Sequence, residues 1–189
     1  ENYFDNCGTC DNDPSNDCVV LSLASSGTDQ VVVSYVSNLE ISGFEMDVDG
    51  GILISSLASN LDTNEFNAAN SSIAGLTTDG SVLSPTCDVS TYGTVCPLDQ
   101  EAVLVTVGFE ESSSGFNVGM SNIVLSDSNV NTGELTVASS LSAVQVAACD
   151  DSDGDTVCDA LDICANSSDL LDADLDGTPD GCDGCVDDD

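Results

Sequence analysis

The sequence predicts an all-β fold, an antiparallel β-sandwich of the jelly-roll type flanked by irregular segments. Apolar residues concentrate in the middle of the chain and alternate there with polar residues, which is typical of half-buried strands. Turn sequences rich in glycine separate these runs. Aspartate and cysteine concentrate at the two ends, where large apolar side chains are few. We therefore divide the chain into a Cys-rich segment (1–18), a sandwich (19–148) and an acidic tail (149–189).

The strands of the sandwich are predicted from alternation. The residues expected to face the core are Phe44, Met46 and Val48, then Val103, Val105, Val107 and Phe109, then Phe116, Val118 and Met120, and finally Val144 and Val146. The run Val31–Val36 is apolar on both faces and predicts a central strand that is buried on both faces. Turns are expected at Asp49-Gly50-Gly51, Asp79-Gly80, Ser114-Gly115 and Thr132-Gly133. Eight or nine short strands result, which suits a sandwich.

Two local features complete the sandwich. Residues 64–70 are predicted to form one or two helical turns. Cys87 and Cys96 bracket a short segment, which a disulfide between them would close as a loop.

The charge composition excludes several functions. The chain has 35 acidic residues and no Lys, Arg or His, which gives a formal net charge of −35. Binding to nucleic acid or to an anionic membrane surface requires cationic side chains. Acid–base catalysis near neutral pH has no imidazole to use, so we expect no enzyme. Such a charge repels itself unless counter-cations bind, and divalent metal ions are the natural candidates.

The ten cysteines indicate disulfides and an extracellular location. Their number is even, and most lie in short polar, Asp-rich stretches where disulfides are expected. Zinc is a poorer interpretation, because the neighbouring ligands are hard carboxylates and histidine is absent. No apolar run is long enough to cross a membrane, and we expect any signal peptide to have been removed.

The apolar pattern of the sandwich resembles that of cohesin modules. The similarity lies in Ile41–Val48 followed by Ile52, in Ala102–Val107, and in the stretch from Asn122 to Val137. Carbohydrate-binding modules share this type of sandwich. The resemblance implies a fold and carries no functional motif, so no dockerin-binding face is transferred.

The tail repeats one spacing of carboxylates twice. Within a twelve-residue frame, aspartate occupies positions one, three, five, nine and twelve. These residues are Asp151, Asp153, Asp155, Asp159 and Asp162 in the first loop, and Asp172, Asp174, Asp176, Asp180 and Asp183 in the second. Position seven adds a backbone carbonyl, from Val157 or Thr178. Because Ca²⁺ takes six to eight hard oxygen ligands, the spacing predicts two calcium sites.

The two loops differ at position six, where the chain bends sharply. Gly177 suits that bend, whereas Thr156 departs from it. A solvated acidic tail is the simpler alternative, but it does not explain cysteines in phase with a repeated ligand spacing. With almost no apolar core, the tail is expected to fold only as it binds metal.

The tail resembles thrombospondin type 3 repeats, in which consecutive Asp-rich loops wrap a row of calcium ions. The resemblance covers residues 149–189 and implies the disulfides Cys149–Cys158 and Cys164–Cys182. Asp187 and Asp189 are expected to begin a third loop.

The N-terminal segment looks like the end of another such repeat, since Asp5 precedes Cys7 as Asp183 precedes Cys185. One hypothesis is that the two ends complement each other between successive subunits of a fibre, or between repeats of a longer polypeptide, with Cys185 bonded to Cys7 or Cys10 of the next unit. The alternative is a local bridge among Cys7, Cys10 and Cys18, with Cys185 paired elsewhere in the same chain.

The leading functional hypothesis is a structural subunit of a secreted, calcium-stabilised filament or surface assembly that polymerises head to tail. The alternative is a carbohydrate- or protein-binding adhesion module on a calcium-rigidified spacer. A polysaccharide partner would need exposed aromatic rings, but the sandwich offers only Tyr35, Tyr92 and a few phenylalanines. Asn70 and Asn166 fit the N-glycosylation sequon.

Overall fold

The structure is a computed structural model that describes residues 3–4, 10–11, 18–58, 61–87, 99–127, 134–137 and 141–184. Twelve strands and no helix lie within these ranges, so the all-β prediction is confirmed. The strands are β1 (Tyr3–Phe4), β2 (Cys10–Asp11), β3 (Cys18–Ser26), β4 (Gln30–Val36), β5 (Ile41–Asp49), β6 (Leu53–Ala58), β7 (Thr63–Asn67), β8 (Ser72–Leu76), β9 (Ala102–Phe109), β10 (Phe116–Asp127), β11 (Glu134–Val137) and β12 (Val144–Val146).

Ten of these strands form a sandwich of two layers. One layer has the strand order β6-β9-β4-β3, and the other has the order β11-β10-β5-β8-β7 with β12 also paired to β10. Neighbouring strands are antiparallel except β3 and β11, whose parallel pairing joins the two layers. The short strands β1 and β2 pair separately. The central position predicted for residues 31–36 is confirmed, because β4 lies between β3 and β9. The predicted burial on both faces is wrong in part, since Val32 and Ser34 on the outward side are only half-buried.

The inner faces of both layers share one apolar core. Val31 and Val33 of β4 and Phe44 and Met46 of β5 are almost completely buried in it. Burying each such side chain stabilises the fold by roughly 1.5–3 kcal/mol relative to leaving it exposed. The predicted alternation of β5 is therefore correct, with Glu45 exposed between its two buried neighbours.

Strand β9 departs from the predicted alternation at its start. Val103, expected in the core, is 39% exposed, whereas Leu104 is fully buried. The register against β4 explains this, since Val33 is opposite Val105 but Ser34 is opposite Val103. The extra residue is a bulge, which turns Leu104 inward and Val103 outward.

The prediction of helical turns at residues 64–70 is wrong. Thr63–Asn67 forms β7, which pairs with β8 over its whole length, and a turn follows. Thr63, Glu65 and Asn67 supply alternating polar positions for an edge strand. Pairing with β8 satisfies backbone groups that an isolated helical turn would leave to solvent.

The predicted turn at residues 49–51 is present and requires glycine. Gly50 and Gly51 have φ values of 93° and 67°. A Cβ atom on Gly50 would lie 1.9 Å from the carbonyl oxygen of Asn117, so no other residue fits there. Gly80 and Gly115 also have positive φ, and Thr132-Gly133 lies outside the described residues. The described part of the chain has no helix suited to spanning a membrane.

Candidate metal centre

The acidic tail begins directly after the last strand of the sandwich. The N–H of Cys149 donates to the carbonyl of Ser112 at 3.1 Å, which fixes the start of the tail against the loop between β9 and β10. Cys149 then forms a disulfide with Cys158, with 5.7 Å between their Cα atoms. The first loop is thus closed at the base of the sandwich.

The two aspartate loops fold alike, with each residue of the second numbered 21 higher than its counterpart in the first. The N–H of position five donates to the carboxylate of position three at 3.2 Å in the first loop and 3.1 Å in the second. The N–H of position seven, in Val157 and in Thr178, donates to the carboxylate of position five at 2.8 Å in both. The repeated sequence spacing therefore produces a repeated backbone conformation.

Each loop gathers its first three aspartates into a triad. One carboxylate oxygen from each of Asp151, Asp153 and Asp155 lies within 4.8 Å of the other two, and Asp172, Asp174 and Asp176 are arranged in the same way. The N–H groups of positions five and seven bond the carboxylates of positions three and five from the loop side. Three convergent carboxylates form a hard oxygen donor set of the kind that Ca²⁺ prefers.

The bend of each loop uses left-handed backbone at two positions. In the first loop these are Gly154 and Thr156, with φ of 79° and 82°, and in the second they are Leu175 and Gly177, with φ of 61° and 92°. Each loop therefore has one glycine and one side-chain-bearing residue in this conformation, in opposite order. The sequence predicted the sharp bend at position six. It did not predict the left-handed backbone of Leu175 at position four.

Two carboxylate oxygens support the fit to a metal ion. Oδ1 of Asp162 and Oδ1 of Asp172 are buried, and neither has a hydrogen-bond partner. Burying a polar atom without a hydrogen bond costs free energy. If these oxygens bound a cation, the bond to the ion would offset that cost. The chain contains no Lys, Arg or His that could neutralise them. The residues present therefore fit a divalent cation.

The local field agrees with this fit. Desolvation raises the pKa of Asp162, and the negative charges of Asp169, Asp153 and Asp155 raise it further, against the lowering effect of the Cys164 N–H. In the second loop the Asp176 N–H lowers the pKa of Asp174, but desolvation and nearby carboxylates outweigh it and the net shift is upward. Both carboxylates thus lie where added positive charge would stabilise their ionised form.

The aspartates at position nine accept hydrogen bonds from the beginning of their own loops. Both oxygens of Asp159 accept hydrogen bonds from Ser152, from its N–H at 2.6 Å and its hydroxyl at 2.7 Å. Asp180 likewise accepts the N–H of Ala173 at 2.8 Å. These carboxylates hold the beginning of each loop and lie outside the triads. At position twelve, Asp183 donates its N–H to the carbonyl of Pro179 at 3.0 Å.

Asp169 is a site residue that the sequence frame missed. Its carboxylate accepts the N–H groups of Ile163 and Cys164 at 2.8 and 2.9 Å, and its own N–H donates to Oδ2 of Asp155 at 2.6 Å. It therefore connects the triad of the first loop to the segment that leads into the second. The residue 21 positions earlier is Ala148, which has no carboxylate. The repeat between the two loops therefore could not identify Asp169 as a site residue.

Both disulfides implied for the tail are present. Cys164 and Cys182 are bonded, with 5.6 Å between their Cα atoms, in addition to the Cys149–Cys158 bridge. Cys87 is also disulfide-bonded, and its predicted partner Cys96 lies outside the described residues. Nor does the structure describe the side chains of Cys7, Cys10, Cys18 and Cys185, or the third loop expected at Asp187 and Asp189.

The remaining candidate residues lie on the surface or in the core. Asn70 and Asn166 are both exposed and in turns, where a glycan has room. Tyr35 is 3% exposed and donates its hydroxyl to the carbonyl of Ser84 at 2.8 Å. It offers no ring face to a sugar, and Tyr92 lies outside the described residues.

Among known proteins, the chain is similar only to solved structures. The sequence matches no protein-family model and no curated protein. The chain is similar to a non-cellulosomal cohesin from the hyperthermophilic archaeon Archaeoglobus fulgidus, with 11% identity, 68% of this chain and 88% of that chain covered, and a TM-score of 0.45.

Two further cohesins show a comparable likeness. The seventh ScaB type I cohesin from Pseudobacteroides cellulosolvens has 10% identity, 71% and 95% coverage, and a TM-score of 0.42. The second type II cohesin module of the adaptor ScaA scaffoldin from Acetivibrio cellulolyticus has 12% identity, 67% and 95% coverage, and a TM-score of 0.36. At these scores the likeness is one of approximate architecture, and no partner of these modules is carried over to this chain.

Proposed function

We propose that this chain is a structural module of a secreted, calcium-stabilised filament or surface assembly. The observation that carries the proposal is the pair of equivalent aspartate loops, each with a triad of carboxylates within 4.8 Å. Such loops are unstable as bare anions, because like charges repel and no basic side chain offsets them. Divalent cations bound in the loops would remove the repulsion among the carboxylates and hold the tail in one rigid conformation.

The residues that would hold calcium follow from the geometry. Asp151, Asp153, Asp155 and Asp162 would serve the first loop, and Asp172, Asp174 and Asp176 the second. Calcium would supply positive charge at these oxygens and thereby couple metal binding to folding of the tail. In the folded loops the chain's own N–H groups hold the carboxylates of positions three and five toward the site.

The disulfides support an extracellular setting. Two bridges lie within the tail, and a third involves Cys87. Such bridges persist in oxidising compartments, where calcium is also abundant enough to fill sites of modest affinity. Contacts between the acidic ends of successive copies are part of this proposal, since bound calcium would remove the repulsion between them.

A sugar-binding role receives less support from the described aromatic residues. Phe44 and Phe109 are buried in the core, and Phe116 packs against Phe109 with 5.4 Å between ring centroids. Phe66 is 45% exposed but lies on an edge strand without a second ring beside it in the described structure. Stacking platforms for saccharides normally present broad aromatic faces, so the structural role is favoured.

Negative-stain microscopy and light scattering of the full chain would test the proposal. We expect elongated assemblies with calcium, isolated particles with a calcium chelator, and isolated particles with magnesium alone. A variant with Asp153→Asn and Asp174→Asn should fail to assemble, whereas Asp29→Asn in a turn of the sandwich should assemble normally. Isolated particles of the wild-type chain at saturating calcium would overturn the structural role.

A further inference from the structure

The bend of each aspartate loop contains one Asp-Gly bond, the dipeptide in which aspartate isomerises most readily. Glycine has no side chain to hinder attack by its own amide, and its backbone rotates freely. The tail has four such bonds, of which Asp153-Gly154 and Asp176-Gly177 lie in the bends. The other two, Asp180-Gly181 and Asp183-Gly184, follow the bend of the second loop. Each bond in a bend begins with a member of a carboxylate triad.

The two loops have their Asp-Gly bond at different positions of the twelve-residue frame. At positions three and four the first loop has Asp153-Gly154, and the second has Asp174-Leu175. At positions five and six the first loop has Asp155-Thr156, and the second has Asp176-Gly177. A leucine or threonine side chain hinders attack by its own amide. Each loop therefore has one susceptible bond in its bend, and the other loop has a resistant bond at the same position.

In the folded first loop the two groups that would react are bonded to other partners. The N–H of Gly154 donates to Oδ1 of Asp151 at 2.8 Å. The carboxylate of Asp153 accepts the N–H of Asp155 at 3.2 Å. Before the nitrogen of Gly154 can attack Cγ of Asp153, the amide must turn its face toward that carbon. This rotation breaks both contacts, so the reaction requires local opening of the loop.

The second loop holds its Asp-Gly bond in the same way. The N–H of Gly177 donates to Oδ2 of Asp172 at 3.0 Å, and the carboxylate of Asp176 accepts the N–H of Thr178 at 2.8 Å. These contacts are specific to the loop conformation, and the glycine itself lies in open space.

Packing does not protect either bond in a bend. An added Cβ atom on Gly154 or Gly177 would have no atom within 4 Å, whereas one on Gly181 would lie 2.1 Å from Cβ of Ser167. Asp180-Gly181 is thus held by its neighbours. The bonds in the bends are held by the loop conformation, which is the part of the tail expected to depend on metal.

We propose that Asp153 and Asp176 are sites of isoaspartate formation that open when the loops lose calcium. The protection rests on the proposed calcium sites. In the open loop the glycine nitrogen attacks Cγ of the preceding aspartate, and one carboxyl oxygen leaves as water with the amide proton and a proton from the solvent. The product is a five-membered cyclic imide. Water then opens the imide at the main-chain carbonyl to give isoaspartate, or at Cγ to restore aspartate. No oxidant or reductant is consumed.

Isomerisation would make the loss of calcium permanent. In isoaspartate the main chain runs through the former side chain, so it gains one carbon atom and the free carboxylate is attached directly to Cα. Both changes move an oxygen of the triad, whose three members lie within 4.8 Å of one another. A loop that contains isoaspartate should therefore not recover its calcium affinity. Chelation should be reversible at first and irreversible after prolonged incubation.

The test is incubation of the full chain at neutral pH with calcium or with a chelator, followed by peptide mapping. Electron-transfer fragmentation in the mass spectrometer distinguishes isoaspartate from aspartate at each position. At calcium about 100 times its dissociation constant the open fraction of a loop falls roughly a hundredfold. We therefore expect isomerisation at Asp153 and Asp176 to be at least about tenfold slower than in chelator. Asp79-Gly80, in an exposed turn outside the tail, should isomerise equally in both and is the reference.

Two substitutions at equivalent positions move the susceptible bond. In chelator, Gly177→Thr should lower isomerisation at Asp176 to the level of Asp155 in the wild-type chain, and Thr156→Gly should raise it at Asp155. Both effects appear in the open tail and do not require the variant loops to fold. When calcium is returned to the aged wild-type chain, calorimetry should find fewer calcium sites, in proportion to the isoaspartate formed.

Equal isomerisation with and without calcium would overturn the inference. A faster reaction with calcium would also overturn it and would indicate that Asp151 or Asp172 removes the amide proton in the folded loop. Full recovery of calcium binding after ageing would remove the irreversible step. Calcium binding with unprotected bonds would remove this inference alone, whereas an unaged chain that binds no calcium would remove the proposed function as well.

Discussion

The N–H groups of Thr156 and Gly177 donate to the same atom, Oδ2, of the first aspartate in their own loop. The distances are 3.1 Å to Asp151 and 3.0 Å to Asp172. Both residues have left-handed backbone, although only glycine adopts it without a steric penalty. The first loop therefore makes the same contact as the second at a conformational cost.

Exchanging these residues should change calcium affinity in opposite directions. Thr156→Gly removes strain of about 1 kcal/mol, and because the loop is expected to fold on binding, affinity at the first site should rise about fivefold. Gly177→Thr should weaken the second site by a similar factor, since no atom lies within 4 Å of the added Cβ and backbone strain is the sole change. Calorimetric titration with calcium measures both. Two unchanged affinities would show that the loops do not reorganise on binding.

Asp169 should contribute to the first site although it lies outside the repeat. Asp169→Asn keeps an acceptor for only one of the N–H groups of Ile163 and Cys164, which donate to different oxygens of Asp169, and removes a negative charge that acts on Asp162. Calcium affinity of the first site should fall about tenfold, as for other groups that orient or neighbour metal ligands. Asp99→Asn, an exposed change before β9, is the matched control. An equal effect of the two substitutions would make the role of Asp169 one of net charge alone.

Removal of calcium should expose the tail to proteolysis while the sandwich stays intact. Leu161, Leu170 and Leu171 are each more than 60% exposed, and only the loop conformation keeps their backbone from entering a protease site. Chymotrypsin should cut the tail within minutes after chelation and slowly with calcium present. Mass spectrometry of the fragments locates the cuts. Identical digestion patterns under the two conditions would remove the link between metal and folding.

The packing of β8 against β5 should be sensitive to one added methyl group. A Cβ atom on Gly75 would lie 2.4 Å from Cε1 of Phe44, which is itself buried. Gly75→Ala should lower the free energy of unfolding by about 1–3 kcal/mol through overpacking. Gly119→Ala on β10 is the control, because its Cβ would meet its nearest neighbours at 3.8 Å. Urea unfolding of both variants measures the difference.

Asp62 should titrate below the ordinary range of an aspartate. The hydroxyl of Thr78 donates to one oxygen of Asp62, and its N–H donates to the other at 2.7 Å, and both lower the pKa. A lowered pKa in the folded state stabilises the fold above the unfolded pKa, and this contribution disappears as pH falls through the folded pKa.

Thr78→Val should therefore raise the pKa of Asp62 toward its ordinary value, as measured by NMR of the carboxyl carbon. The pKa of Asp79 is lowered by Ser81 and raised by the charge of Asp62, so it should shift far less than that of Asp62 and serves as the reference. A Thr78→Val variant with an unchanged Asp62 pKa would show that the hydroxyl contact is absent in solution.

A continuous apolar run was enough to predict β4, and the alternation of apolar residues was enough to predict β5. The bulge in β9 could not be predicted, since the choice between Val103 and Leu104 depends on the register against β4. Residues 64–70 were misassigned because their polar composition suits a turn and an edge strand equally well. Only the neighbouring β8 decides between them.

In the tail, the repeated spacing predicted both triads and their equivalence. It did not reveal that Asp159 holds Ser152, because a ligand and a loop-closing carboxylate have the same side chain. It also could not find Asp169, whose contacts depend on how the chain turns after the first loop. The spacing of aspartates along the sequence predicts the local conformation of a loop. The contacts of Asp159 and Asp169 depend on which parts of the folded tail come together.

The placement of the two tail disulfides determines how this segment responds to a pulling force. Tension applied along the chain would pass through Cys149–Cys158 and Cys164–Cys182 as covalent shortcuts, so neither triad carries the load directly. The extensible part between the bridges is residues 159–163, which at full stretch spans about 20 Å. The tail is therefore a nearly inextensible tether in which the bridges shield both triads, whereas Asp162 lies in the part that can stretch.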